Sequence, residues 1–179
     1  SSKIGDIGDH ALTFDKDKHA DHEKSEALII VEESATPEKC EEIVSGQKEN
    51  GSIELGDTVC DELDAPKEEI ITTIHNNIKY NKLKSPELIS TAINLSYLKK
   101  AAPKHEGLWR AKYNKAREYL SKQIGDEKAE KELLDTTDKY VVDNCAKKVI
   151  KDKKRTAVLH LKSGEDKRYV TQKYNFTPE

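Results

Sequence analysis

From residue 36 onward, apolar positions recur at helical spacing. Thr36 is a good N-cap, and Pro37 stands at the first helical position, where its missing N–H removes no helix bond. Glu38, Glu41 and Glu42 suit the positive end of the helix dipole, and Cys40, Ile43 and Val44 form an i, i+3, i+4 stripe. This helix is expected to stop between Gln47 and Gly51. Gly51 would take the left-handed conformation that ends helices, so the hairpin-like Asn50-Gly51 pair reads as a helix-to-helix connector. Ile53 and Leu55 then alternate inward, and Asp57 is expected to cap a short turn carrying Val59, Cys60 and Leu63.

The pattern continues through three longer helices and the one that opens at Asp64-Ala-Pro66. That helix carries Ile70, Ile71, Ile74 and Ile78 on one face. Ser85-Pro86-Glu87 starts a helix with Leu88, Ile89, Ala92, Ile93, Leu95 and Leu98, a band wide enough to be central in a bundle; Pro103 ends it. Trp109, Tyr113, Ala116, Leu120 and Ile124 define a helix over 107–124 with Gly125 as its C-cap. Asp126 starts the longest, with Leu134, Thr137, Val141, Cys145 and Val149 at i+3 and i+4 steps.

The two ends read differently. "ALTF" at 11–14, "ALIIVEE" at 27–33, and the segments 157–161 and 168–174 around Ser163-Gly164 read as short strands. The expectation is therefore a mainly α chain. It comprises an acidic N-terminal segment over 1–35 with short strands, a bundle of about six helices over 36–155, and a β-hairpin or the start of a next repeat over 156–179. "ATPE" at 35–38 is echoed by "FTPE" at 176–179, as an array unit would require.

Composition supports wide solvated faces: 35% of the 179 residues are hydrophobic and 36% charged, with one tryptophan and no methionine. The net charge of −3 hides a division. Residues 1–69 hold 7 Lys/Arg and 20 Asp/Glu, a balance of −13, leaving +10 for the rest. A chain so polarised can associate with a neighbour or with copies of itself, and it is a poor match for a dedicated nucleic-acid binder. Cys40, Cys60 and Cys145 are odd in number and lack a Cys-x-x-Cys pattern, which fits a reduced, cytoplasmic setting. No apolar run approaches the roughly 20 residues of a membrane span. Asn50, Asn94 and Asn175 begin glycosylation-type triplets with no signal peptide in the sequence to give them meaning.

Candidate chemistry is sparse. Asp15, Asp17, His19, Asp21 and Glu26 have the rhythm of a calcium loop, but Ala20 stands where the turn requires Gly, and His19 is a poor ligand for a hard cation. His19 and His22 lack the helix and further ligands of a transition-metal site. Nucleotide-binding, hydrolase and metalloprotease motifs are absent. Cys145 with His75, His105 or His160 would be the one nucleophile–base pairing, yet Cys145 lies on an apolar stripe and reads as core. The expectation is thus no catalytic residue, no metal and no cofactor.

The candidate interaction patch is the basic run Lys147, Lys148, Lys151, Lys153, Lys154 and Arg155, with Lys167 and Arg168 beyond it. On the last turns of a helix these cations favour the dipole, and they would equally contact nucleic acid, an anionic surface or an acidic protein partner. The acidic half of a neighbouring copy would fit as well.

Residues 36–124 also resemble a known module. "CEEIVSGQKENGSIEL", "STAINLSYLKK" and "GLWRAKYNKAREYLSKQIG" are similar to the helical domain at the C-terminal end of some von Willebrand factor A domain proteins, and more distantly to the end of the vault-associated poly(ADP-ribose) polymerase. The shared features fall on Ile43, Val44, Gln47, Gly51, Ser52, Ile53, Leu55, Ala92, Leu95, Leu98 and Trp109. The resemblance implies a non-catalytic helical module for interaction or spacing, of a kind that fungal proteins carry in tandem. The von Willebrand A domain itself is missing from this sequence, so its metal-dependent adhesion is not implied.

Overall fold

A computed structural model describes residues 25–162. Seven α-helices follow one another there: α1 (Glu26–Ser34), α2 (Pro37–Ser45), α3 (Asp57–Leu63), α4 (Lys67–Asn76), α5 (Pro86–Ala101), α6 (Glu106–Ile124) and α7 (Glu127–Lys162). The mainly α bundle expected from periodicity is what forms. The caps act largely as their side chains dictate. Thr36 Oγ1 accepts from Lys39 N and Ser85 Oγ from Leu88 N, each followed by Pro at the first helical position, while Asp126 Oδ1 accepts from Lys128 N and Ala129 N. Gly125, with φ 68°, closes α6 in the left-handed region. α3 differs, since Gly56 and not Asp57 is its N-cap residue and no side chain caps it.

α5 is the axis of the bundle. Every residue from Leu88 to Leu98 is buried, polar ones included, because α1, α4, α6 and α7 all pack around it. Trp109, at the start of α6, is 1% exposed and donates Nε1–H to Ala102 O at 2.9 Å, which satisfies a carbonyl at the end of α5. α7, with 36 residues and hence about 54 Å long, is the strut on which α5, α1, α3 and α6 all lie.

The terminal strand expectations need correction where they fall on described residues. Residues 27–33 belong to α1, which Ser25 caps through its Oγ and which buries Val31 completely. A short run of Leu, Ile and Val fits a strand or a buried helix equally by periodicity, and the serine cap decides. Residues 157–161 continue α7: Ala157 is buried on the stripe that Cys145 and Val149 prolong. The helical body therefore exceeds the 36–155 bounds at both ends. The strands expected at 11–14 and 168–174 lie outside the described residues.

Asn50-Gly51 also differs from expectation. α2 stops at Ser45, with Gly46 as its cap at φ −87°, so Gly51 is not the helix stop. The chain instead makes a miniature antiparallel hairpin: Gln47 bridges Ile53, Gly51 N donates to Lys48 O, and Lys48 N donates to Ser52 O. Gly51 has φ +100°, the positive value that an Asn-Gly turn demands. The hairpin letters meant a hairpin. Ile53 and Leu55 do point inward, at 1% and 3% exposure.

Candidate functional site

The basic run on α7 is largely committed to the fold. Lys151 Nζ lies 2.8 Å from Asp64, the C-cap residue of α3, Lys153 Nζ 3.5 Å from Glu33 of α1, and Lys148 Nζ 3.2 Å from Asp152 one turn on. Arg155 also reaches Asp152, at 3.9 Å. Lys147 and Lys154 remain exposed and without an ion pair among the described residues. Lys167 and Arg168 lie outside them. The hydrogen bond from Lys151 holds the Asp64 carboxyl below its usual range. Two of these contacts bind separate helices to α7, so the run closes the acidic N-terminal helices onto the strut.

The hairpin is a clasp across three elements. Gln47 Nε2 donates to Gly51 O at 3.0 Å and to Lys112 O of α6 at 2.8 Å. Asn50 Oδ1 accepts from Ser52 N and Oγ, while Ile53 N donates to Thr91 Oγ1 at 3.1 Å. Asn94, 1% exposed, donates from Nδ2 to Ile53 O, Glu54 O and Ser90 O. The amide that begins the Asn94-Leu-Ser96 triplet is thus sealed in the core. A Cβ on Gly51 would stand 2.8 Å from Lys115 O, so only glycine lets the turn lie on α6.

Other polar groups in the interior are engaged the same way. Glu62 accepts from Tyr97 Oη at 3.0 Å and from Lys39 Nζ at 3.1 Å, and Lys39 also donates to Ser34 O. Burial, then the Glu62 charge, pushes the Tyr97 phenol and the Cys145 thiol well up. Ser96 Oγ meets Thr137 Oγ1 at 2.7 Å and donates to Asp138, which also holds Lys99 at 2.8 Å. Glu130 takes Arg117 and Ser121. Glu130 could be read from sequence, since it sits four residues before Leu134 on the apolar stripe of α7. Glu62, Tyr97 and Asp138 have no such signal, because their partners lie at least 23 residues away.

The cysteine–histidine pairing does not form. The charged groups that act on Cys145 are Glu62, Lys39 and Lys148, with no histidine among them. Burial also raises the thiols of Cys40 and of half-buried Cys60, so none of the three is an activated nucleophile. A groove between α4 and α7, lined by Asn77, Thr136, Lys139, Tyr140 and Asp143, holds Asp143 already paired with Lys139. Among the described residues no group of three His, Cys, Asp or Glu side chains could hold a metal, and no helix is long and apolar enough to cross a membrane. Of the calcium-like loop, residues 15–24, with His19 and His22, lie outside those residues, and Glu26 begins α1.

No protein-family model matches this chain, and neither the curated proteins nor the solved structures provide a match.

Proposed function

We propose that this chain is a non-catalytic helical module that docks other proteins and acts as a structural unit of a larger assembly. The observation that carries this reading is the engagement of the charged and polar groups that sequence or burial brings to notice: Lys151, Lys153, Glu62, Asn94, Glu130 and Asp138 each hold one part of the fold to another, and Lys148 pairs within α7. What remains for recognition is the charge on the helix surfaces. Resemblance of residues 36–124 to the helical module beside von Willebrand A domains supports the same reading, as does the "TPE" echo for an array unit.

The alternative, a binder of nucleic acid or anionic surfaces through the basic run, draws on Lys147 and Lys154 alone among the described cations of that run. Electrostatic binding of a phosphate backbone needs several uncommitted cations, and its affinity falls steeply with salt. The two readings separate in one experiment. The immobilised chain, exposed to an extract of the cells that make it with and without nuclease, is expected to retain proteins under both conditions. Retention that disappears on nuclease treatment, or retention of nucleic acid alone, would overturn the proposal.

A further inference from the structure

Asn50-Gly51 is the one Asn-Gly pair in the chain. A glycine has no side chain to shield its backbone nitrogen, so that nitrogen reaches the preceding side-chain amide more readily than any other residue's does. Asn50 is exposed, and its Nδ2 makes no hydrogen bond among the described residues. Its Oδ1 accepts from Ser52 N at 3.0 Å and from Ser52 Oγ at 2.8 Å. Donors so placed stabilise the negative charge that builds on Oδ1 when a nucleophile adds to Cγ. The nucleophile itself is withheld. Gly51 N–H donates to Lys48 O at 2.9 Å, Gly51 O accepts from Gln47 Nε2 at 3.0 Å, and the residue is buried against α6.

We propose that Asn50 is a self-modification site gated by the clasp, losing its side-chain amide only when the hairpin lifts from α6. Once Gly51 N–H is released from Lys48 O and gives its proton to solvent base, the nitrogen bonds to Asn50 Cγ. The Cγ–Nδ2 bond breaks, Nδ2 takes a proton from water and leaves as ammonia, and a cyclic imide remains. Water then opens the imide on either side. Cleavage at Cγ gives aspartate, whose carboxylate accepts the Ser52 bonds again; cleavage at the backbone carbonyl gives isoaspartate, which lengthens the main chain by a carbon. The imide nitrogen has no hydrogen to offer Lys48 O. α6 leaves no room for a longer turn, since a Cβ on Gly51 would already stand 2.8 Å from Lys115 O. The isoaspartyl chain is therefore unable to re-form the clasp, and an opening that reaches the imide is recorded irreversibly.

Incubation of the native chain at neutral pH beside a synthetic peptide of residues 46–55, with aspartate and isoaspartate resolved by peptide mapping, tests this. Asn50 in the peptide is expected to convert at least about tenfold faster than in the native chain, since the closed hairpin holds Gly51 by more than one hydrogen bond. Gln47→Ala, which loses the bond to Lys112 O, is expected to convert about fivefold faster than wild type. Asp126→Ala loses the α7 cap, outside the hairpin, and is expected to convert at the wild-type rate. Equal rates in chain and peptide, a Gln47→Ala rate no faster than wild type, or an Asp126→Ala rate matching that of Gln47→Ala would each overturn the inference.

Discussion

Gln47 Nε2 donates to the Lys112 carbonyl at 2.8 Å, tying a hairpin side chain to helix backbone 65 residues further on. A helical carbonyl has a second lone pair, so the bond adds to the α6 ladder and does not break it. Gln47→Ala removes this bond and the one to Gly51 O. The expected loss is about 1 kcal/mol in urea unfolding. Gln47→Glu is expected to cost more at neutral pH, because a carboxylate would face two carbonyl oxygens.

Gly51 carries the second half of that relationship. With φ +100° and Lys115 O 2.8 Å from any Cβ, Gly51→Ala is expected to destabilise by about 2–3 kcal/mol. Gly107, in the first turn of α6 with nothing within 4 Å, gives the control: Gly107→Ala is expected to stabilise by about 0.5 kcal/mol. Equal effects at the two sites in thermal melts would contradict the close approach of hairpin and helix.

Asn94 tests the buried side of the clasp. Replacement by the similarly sized Leu strands the buried carbonyl of Ile53 and removes the donor to the half-buried carbonyl of Glu54, and the expected cost is about 2–3 kcal/mol. A near-neutral Asn94→Leu in chemical denaturation would show that these carbonyls have other partners.

What was legible in the sequence follows from how local each signal is. The caps at Thr36, Ser85 and Asp126 and the stripe Trp109–Tyr113–Ala116–Leu120 act within a turn or two, and all were readable. Asn50-Gly51 reads as a helix stop, yet the helix before it ends five residues earlier, at a glycine whose φ is ordinary. The runs at 27–33 and 157–161 read as strands because their branched residues fit either period; a Ser25 cap and a buried Ala157 settle them as helix. The basic run is plain in the sequence but its ion pairs are not, since Lys151 meets an aspartate 87 residues away.

Stability is expected to fall at both ends of the pH scale. The Asp64 carboxyl, lowered from 3.8 by its hydrogen bond to Lys151, contributes above its unfolded pKa, and that contribution is lost as pH drops through about 4 and below. Asp64→Asn, which tolerates the residue's φ of 56°, is expected to flatten the acid limb of a melting-temperature profile. Cys145 and Tyr97 are raised in the fold, so their contribution is complete below the unfolded values of 9.0 and 10.0 and is lost as pH climbs past them. An acid limb identical in wild type and Asp64→Asn would exclude the Lys151 tether.

Cations of the basic run hold the fold, while those beside the hairpin make no ion pair among the described residues. Competitive acetylation of the native chain with limiting reagent, read lysine by lysine in a mass spectrometer, measures this directly. Lys148, Lys151 and Lys153 are expected to react several-fold more slowly than Lys112, Lys115 and Lys122, with Lys147 and Lys154 grouping with the fast set. Uniformly fast reaction from Lys147 to Lys154 would contradict this division of the cations and return that surface to nucleic acid or anionic partners.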